Sequence, residues 1–164
     1  TNGVLQGSSQ PTTDAIIYTA PTPLWTDYTV VGQVRFEAGA MGGGLGGRVN
    51  PATGARYGAW IYPDGSAAGA NKLRLLKYSD WTTYASTPMQ EVSLPSVGTG
   101  WHTLKLVFTG NRIQVYYDGT LKIDVTDNNY DSRAPYLSGG ITGEMWTYLS
   151  TRIMGLDNVV VSTN

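Results

Sequence analysis

Aromatic side chains that carry a polar edge are concentrated in the middle of this chain, and they are the residues whose types and spacing most favour a binding chemistry. The sequence holds five Trp and eleven Tyr but only two Phe. Trp and Tyr combine a flat apolar face, on which the C–H face of a sugar ring can stack, with an edge that hydrogen-bonds to hydroxyl groups. The densest cluster consists of Tyr57, Trp60, Tyr62, Tyr78, Trp81 and Tyr84.

Basic residues are interleaved with this cluster, and their cationic groups could hold sugar hydroxyls or the carboxylate of an acidic sugar. A second aromatic pair near the C-terminus is spaced two residues apart, so its members would share one face of a strand. The predicted carbohydrate-binding residues are Arg48, Tyr57, Trp60, Tyr62, Lys77, Trp81, Trp146 and Tyr148. The competing interpretation is that about half of the cluster packs in the core or in cross-strand pairs.

The spacing also predicts which aromatic residues point outward. If Ile61 points into the core, its neighbours Trp60 and Tyr62 point away from it, because side chains alternate along a strand. Trp81 lies in a polar stretch that predicts a loop or hairpin tip. The other two tryptophans, Trp25 and Trp101, are predicted to lie in the core.

The inventory of catalytic groups favours a protein that is not an enzyme. Glycosidases need two carboxylates that flank the bond to be broken, whereas Glu37, Glu91 and Glu144 are far apart in the sequence. The single histidine, His102, follows a Trp at the start of a predicted strand, where a structural role is favoured. No Gly-x-Ser-x-Gly nucleophile motif occurs. A glycoside hydrolase or lyase is therefore the third-ranked interpretation of the sequence.

The strands that must position these residues are predicted most clearly from the sequence between residues 101 and 124. Thr109-Gly-Asn111 and Asp118-Gly119 are tight-turn signals. Between them the residues alternate in character with a period of two, which predicts three consecutive antiparallel strands with one buried face. About a dozen such short strands predict a two-sheet sandwich. The Gly-rich stretch 40–48 lacks a following Lys-Ser/Thr, so close backbone packing is favoured over a phosphate loop.

This segment resembles the central strands of the concanavalin A-like jelly rolls, the superfamily of laminin-G domains, lectins and glucanases. Stretches 27–36 and 155–162 resemble an early strand and the last strand of that fold, so the resemblance covers nearly the whole chain. It implies an all-β, two-sheet antiparallel jelly-roll sandwich that forms a single domain over residues 1–164. The Glu-x-Asp-x-x-Glu motif of its glucanases is absent. The chain is therefore most similar to the non-catalytic carbohydrate-binding members, with a polysaccharide or glycan as the expected ligand.

The resemblance carries two further expectations. Asp157 matches a recurring aspartate near the chain ends of such folds and is a candidate ligand for calcium. The segment that usually precedes a phrase like 2–6 in this superfamily is missing, which predicts an open sheet edge near Val4, Leu5 and residues 159–161. A neighbouring subunit or a segment of a parent protein would donate a strand there. The alternative function is accordingly a structural surface or filament subunit assembled by strand addition.

Composition narrows the set of partners. Eleven basic and twelve acidic residues give a net charge of −1, and no basic block occurs. Nucleic acid is therefore not an expected partner, because its binding depends on clustered Lys and Arg. No apolar run is long enough to insert into a membrane, and the absence of cysteine excludes disulfides. Only 14% of the residues are charged, a balance common in exported β proteins, so an extracellular or cell-surface location is predicted.

Overall fold

The computed structural model describes residues 3–39 and 41–163, and nearly all of its regular structure is β-strand. The only helical element in these ranges is a 3-10 turn at Tyr130–Ser132. No helix within them is long and apolar enough to cross a membrane. The strands are β1 (Leu5–Ser9), β2 (Asp14–Thr19), β3 (Tyr28–Phe36), β4 (Met41–Val49), β5 (Arg56–Tyr62), β6 (Lys72–Tyr78), β7 (Gln90–Ser93), β8 (His102–Thr109), β9 (Arg112–Tyr117), β10 (Thr120–Thr126), β11 (Gly140–Thr147) and β12 (Arg152–Thr163).

The strands form two six-stranded sheets. Sheet A has the order β1-β12-β3-β8-β9-β10, and sheet B has the order β2-β11-β4-β5-β6-β7. Every pairing between neighbours is antiparallel. The predicted all-β, two-sheet antiparallel sandwich is confirmed. The three predicted strands of the 101–124 segment are β8, β9 and β10, and the hairpin between the last two uses Asp118 and Gly119 at φ values of 46° and 77°, as a type I′ turn requires.

The main core lies between the two sheets and is built by strict alternation. In β3, Tyr28, Val30, Gly32, Val34 and Phe36 are all buried, while the residues that alternate with them are partly exposed. The Tyr28 ring lies 5.0 Å from that of Phe108 in β8. Burial of aromatic and branched side chains of this size contributes about 1.5–3 kcal/mol each relative to exposure. This repeated burial holds the sheets together and fixes which side of each strand faces outward.

The two remaining tryptophans differ in their surroundings. Trp25 packs against the core, with its ring 5.6 Å from Tyr28, as predicted. Trp101 is 37% exposed and lies on the outer side of sheet A, where the prediction of a core position is wrong. Gly155 leaves room for its ring, since a Cβ there would lie 3.0 Å from the indole. The guanidinium of Arg35 lies 5.0 Å from the ring centroid, so a cation–π contact stabilises Trp101 at the surface.

The edge formed by β1 and β12 is partly unpaired within the described residues. β1 pairs with Arg152–Leu156 only, and no described strand pairs with the outer side of 157–163. Two apolar hollows of about 220 and 190 Å³ lie between the β1 and β2 edges of the sandwich. Leu5 and Ile17 are 43% and 52% exposed there, and Val160 is 62% exposed on the edge strand. Asn2 of the predicted terminal phrase lies outside the described residues.

Candidate functional site

A groove on the outer face of sheet B, called the aromatic groove below, is lined by two Trp and three Tyr side chains. Its volume is about 240 Å³. Strands β2, β5, β6 and β11 and the loops after β5 and β6 supply its walls. The lining residues are Asp14, Trp60, Tyr62, Ala68, Arg74, Tyr78, Thr82, Tyr84 and Trp146.

Trp60 and Tyr62 form the deep part of the groove. They point away from the core, as their spacing from Ile61 predicts, yet they are only 4% and 5% exposed. Neighbouring glycines make room for the rings. A Cβ at Gly42 would lie 2.9 Å from ring carbons of Tyr62, and one at Gly58 would lie 3.0 Å from Nε1 of Trp60. The glycine-rich β4 thus allows close packing here, as the sequence predicted.

The deep aromatic wall leaves one polar group without a partner. Trp60 Nε1 is buried and donates no hydrogen bond within the described residues, although a buried Trp N–H normally finds an acceptor. The ring of Tyr78 lies 6.3 Å from that of Trp60. Burial raises the pKa of Tyr62 to about 12 and also raises the pKa of Tyr78. At neutral pH both phenols are therefore uncharged and able to donate or accept a hydrogen bond.

The rim of the groove is more exposed than its wall. Tyr84 is 52% exposed, and its ring lies 5.3 Å from that of Tyr78. On the opposite side, Trp146 stacks on Tyr148 at 5.8 Å with an interplanar angle of 27°. Tyr148 is 46% exposed. These rings offer flat faces that a ligand can reach from solvent.

Trp81 lies beside the groove rather than in its lining. Its ring is 5.1 Å from that of Tyr18 and packs against Gly54, where a Cβ would lie 2.5 Å from the indole. Gly54 also has a φ of +85°, a backbone conformation that residues with a side chain rarely adopt. The predicted loop position of Trp81 is correct, and Thr82 and Tyr84 of the same loop line the groove.

A buried ion pair underlies the groove. The Arg56 guanidinium donates to both carboxylate oxygens of Glu144, with Nη2 to Oε2 at 2.7 Å and Nε to Oε1 at 3.0 Å. Both side chains are at most 1% exposed. Thr142 Oγ1 donates a further hydrogen bond to Glu144 at 2.6 Å, and Arg56 lies 3.7 Å from the ring centroid of Tyr78. Although burial opposes it, the bond to Glu144 raises the pKa of Arg56.

Arg56 also fixes the loops that border the groove. Its Nη1 donates to the carbonyl oxygens of Gly54, Asp80 and Trp81 at 2.9, 3.1 and 3.3 Å. One side chain therefore joins β5 to β11 and to the 79–84 loop. The sequence offered no signal for this role, because Arg56 and Glu144 are 88 positions apart.

The second basic residue at the groove, Arg74, is also engaged. Its Nε donates to Glu91 at 2.6 Å and its Nη2 to the carbonyl of Ala68 at 2.9 Å. The guanidinium lies 4.6 Å from the ring centroid of Tyr62. Glu91 also accepts a bond of 2.5 Å from Lys72. These contacts hold Arg74 against the aromatic wall.

Asp14 is one of the lining residues that the sequence analysis missed. It begins β2 and lies opposite Trp146 of β11, and its carboxylate forms no hydrogen bond or ion pair with a described side chain. Partial burial raises the pKa of Asp14; the charge of Glu144 raises it further and that of Arg56 opposes the shift. Nothing in the local sequence signals this position, because the pairing of β2 with β11 brings it to the groove.

Of the eight predicted binding residues, the lining contains Trp60, Tyr62 and Trp146. Trp81 and Tyr148 lie beside it, and the other three lie in the interior, which corrects the predicted set. The Tyr57 hydroxyl donates to Asp127 at 2.5 Å, and Lys77 pairs with the same carboxylate at 2.7 Å, both in the interior. Both residues alternate with the outward-facing ones, so they face the opposite sheet. Arg48 is 1% exposed and donates to the carbonyls of Tyr136 and Gly110. All three stabilise the fold and are not accessible to a sugar.

The other chemical candidates have structural partners. Glu37 accepts the Ile153 N–H at 2.9 Å. The His102 ring is bonded at Nδ1 to Asp118 and Tyr117, each at 2.8 Å, and at Nε2 to the Val97 carbonyl at 2.7 Å. Neither residue lines the aromatic groove.

The residues around Asp157 do not form a carboxylate-rich cation site. Asp157 Oδ1 accepts the backbone N–H of Asn158 at 2.7 Å, and Asn158 bonds to Gln33. Within residues 3–39 and 41–163, no group of three His, Cys, Asp or Glu side chains could hold a metal ion. Calcium binding at Asp157 stays a prediction of the resemblance.

The sequence matches no protein-family model and no curated protein sequence. Solved structures are nonetheless similar in fold. A carbohydrate-binding module, CBM66 from Bacillus subtilis, aligns with a TM-score of 0.67 at 16% identity, over 98% of this chain and 96% of that one. The laminarinase catalytic domain from Thermotoga maritima aligns with a TM-score of 0.71 at 9% identity, over 100% of this chain and 79% of that one. The galectin LEC-6 of Caenorhabditis elegans aligns with a TM-score of 0.57 at 11% identity, over 97% of this chain and 96% of that one.

These neighbours include both binding proteins and an enzyme, and at such low identity they share the fold alone. Their architecture agrees with the two six-stranded antiparallel sheets described above. The chain therefore has the concanavalin A-like jelly-roll fold.

Proposed function

We propose that this chain is an extracellular domain that binds carbohydrate in the aromatic groove and does not cleave it. The observation that carries the proposal is the set of aromatic rings that line the groove, together with the half-exposed rings of Tyr84 and Tyr148 at its rim. Sugars present apolar C–H faces to such rings, and their hydroxyls can bond to the polar edges of Tyr and Trp. The carbohydrate-binding module and the galectin among the structural neighbours support the proposal at the level of the fold.

The carboxylates at the groove support the proposal that the chain does not cleave carbohydrate. Glycoside hydrolysis needs two carboxyl groups, one on each side of the scissile bond. Glu144 is fully buried and accepts bonds from Arg56 and Thr142, so it cannot approach a glycosidic oxygen. Among the described residues, Asp14 is the only carboxylate in the groove lining. A single accessible carboxylate supports binding rather than hydrolysis.

A glycan array followed by calorimetry with the best ligand tests the proposal. Trp146→Ala removes a rim ring and is expected to weaken binding by about 1–3 kcal/mol, as for the loss of an interface anchor. Trp101→Ala is the matched control, because Trp101 is a partly exposed Trp on the other sheet. Equal losses in the two variants, or no binding by the native chain to any glycan, would contradict the proposal. Release of reducing sugar that disappears in Asp14→Asn would contradict the absence of cleavage.

The open β12 edge favours a second candidate function, strand addition between copies of this chain. Residues 157–163 include three consecutive valines and no Lys or Pro, which are the usual protection of an exposed edge. Their free backbone groups would select an extended strand, and the adjacent apolar hollows would take its side chains. Sedimentation across a concentration series tests this. Val160→Lys is expected to abolish any assembly, and a strictly monomeric native chain would contradict it.

A further inference from the structure

The charged side chains around the aromatic groove differ in whether they have an ion-pair or hydrogen-bond partner. Arg56 and Glu144 neutralise each other beneath it, and Arg74 is bound to Glu91 and to the Ala68 carbonyl. Only the Asp14 carboxylate has no hydrogen-bond or ion-pair partner among the described side chains, although Asp14 lines the groove. The ligand therefore meets one unpaired negative charge.

We propose that the groove selects uncharged, hydroxyl-rich sugars over sugars that carry a carboxylate, and that Asp14 sets this preference. The inference rests on the proposed function and names the class of glycan that the same site takes. Asp14 lies opposite Trp146 in the β2–β11 register, so a sugar ring stacked on Trp146 brings its hydroxyl rim toward the carboxylate.

The chemistry of a carboxylate explains the preference. Its two oxygens only accept hydrogen bonds, and neighbouring hydroxyl groups of a sugar can donate to both at once. Bonds to a charged acceptor are roughly twice as strong as neutral ones. A uronic acid would instead place a second negative charge beside Asp14 in a partly desolvated site, where like charges repel strongly. Arg74 offsets this repulsion little, because its charge is paired with Glu91 and its Nη2 donates to the Ala68 carbonyl.

Binding to a matched glycan panel tests the inference. Neutral polymers (β-1,3-glucan, xylan and galactan) would be compared with alginate and polygalacturonate at neutral pH and low salt, for the native chain and for Asp14→Asn. The native chain should bind its best neutral polymer at least about tenfold more tightly than either uronate. Asp14→Asn should lose about tenfold in affinity for the neutral polymer, which corresponds to about 1.4 kcal/mol, and should narrow the gap to the uronates.

Asp124→Asn is the control, because it removes the same charge from sheet A, away from the groove. It should leave both affinity and preference unchanged. Uronates that bind the native chain as tightly as neutral polymers, or an Asp14→Asn variant with unchanged affinity and preference, would overturn the charge selection while leaving carbohydrate binding intact. Failure of the native chain to bind any member of the panel or of the glycan array would overturn the proposed function and this inference with it.

Discussion

The outer faces of the two sheets are built by the same alternation of residues but end in different environments. On sheet A, β8 alternates over Leu104–Phe108 between buried core residues and partly exposed ones. On sheet B, every residue of β5 is buried. The outward side chains of sheet B form a second apolar cluster of Trp60, Tyr62, Leu76 and Tyr78, separate from the main core. The loops after β5 and β6 border this cluster, whereas the outer face of sheet A meets solvent.

The difference shows how one fold gains a site. A face that meets water needs only scattered polar residues and single cation–π pairs, such as Arg35 on Trp101 and Lys105 on Tyr116. The face that holds a groove needs fixed walls, and here the Arg56–Glu144 pair supplies them by joining β5, β11 and the 79–84 loop. Rings held rigidly in this way lose little conformational entropy when a ligand binds.

The largest expected effect comes from breaking the ion pair beneath the groove. Glu144→Gln leaves the Arg56 guanidinium buried without its counter-charge, which should lower the free energy of unfolding by about 3–5 kcal/mol. Urea unfolding followed by tryptophan fluorescence measures this. Asp124→Asn, which breaks an exposed pair with Arg112 on sheet A, should change stability far less. Equal effects of the two variants would remove the distinction between the two faces.

A substitution that strains the backbone beside the groove should cause the next largest loss of stability. Gly54→Ala places a methyl group at a φ of +85° and within 2.5 Å of the Trp81 ring. A strained conformation of this kind should destabilise the protein by about 1–3 kcal/mol. Thermal unfolding measures the loss. Gly119→Ala is the control: it also has a positive φ of +77° but meets no atom within 4 Å, so a larger loss there would show that packing against Trp81 contributes little.

The pH dependence of binding should sharpen the assignment of Asp14. Its pKa is raised by burial and by Glu144, against the opposing charge of Arg56; Arg74, the other charged residue of the lining, stays protonated throughout. Affinity for a neutral glycan should therefore be constant while Asp14 is ionised and fall as the pH drops through its pKa. The fall should begin at a higher pH than for an ordinary aspartate with a pKa of 3.8. Calorimetry between pH 7 and pH 4 measures it, and a profile identical to that of Asp14→Asn would be contrary to expectation.

The smallest effect is expected on the outer face of sheet A. Trp101→Ala should leave glycan affinity unchanged and should lower stability only modestly, because the ring is 37% exposed and contacts mainly Gly155 and Arg35. Affinity and thermal unfolding measured side by side provide the check. A loss of affinity in this variant would move the binding surface to sheet A.

The sequence alone determined the fold class and the direction of many side chains. Alternation in 28–36 and 102–117, together with the Asp118-Gly119 turn, follows from local backbone geometry and hydrophobic patterning, which act over a few residues. The same alternation separates Trp60 and Tyr62 from Tyr57, so the interior position of Tyr57 was already implied by its spacing from Ile61. Applied consistently, this rule would have removed Tyr57 from the predicted site.

The tertiary structure decided what covers each face and which distant residues meet. Arg56 and Glu144 are 88 positions apart, and Asp14 reaches the groove only because β2 pairs with β11. Trp101 immediately precedes β8, and a core position was predicted for it. Gly155 on β12 instead leaves room for its ring at the surface. Pairings between strands far apart in the chain depend on the global packing of two sheets, and no local pattern encodes them. The charge pattern of the groove, and with it the selectivity proposed for Asp14, therefore emerged only when the strands were assembled.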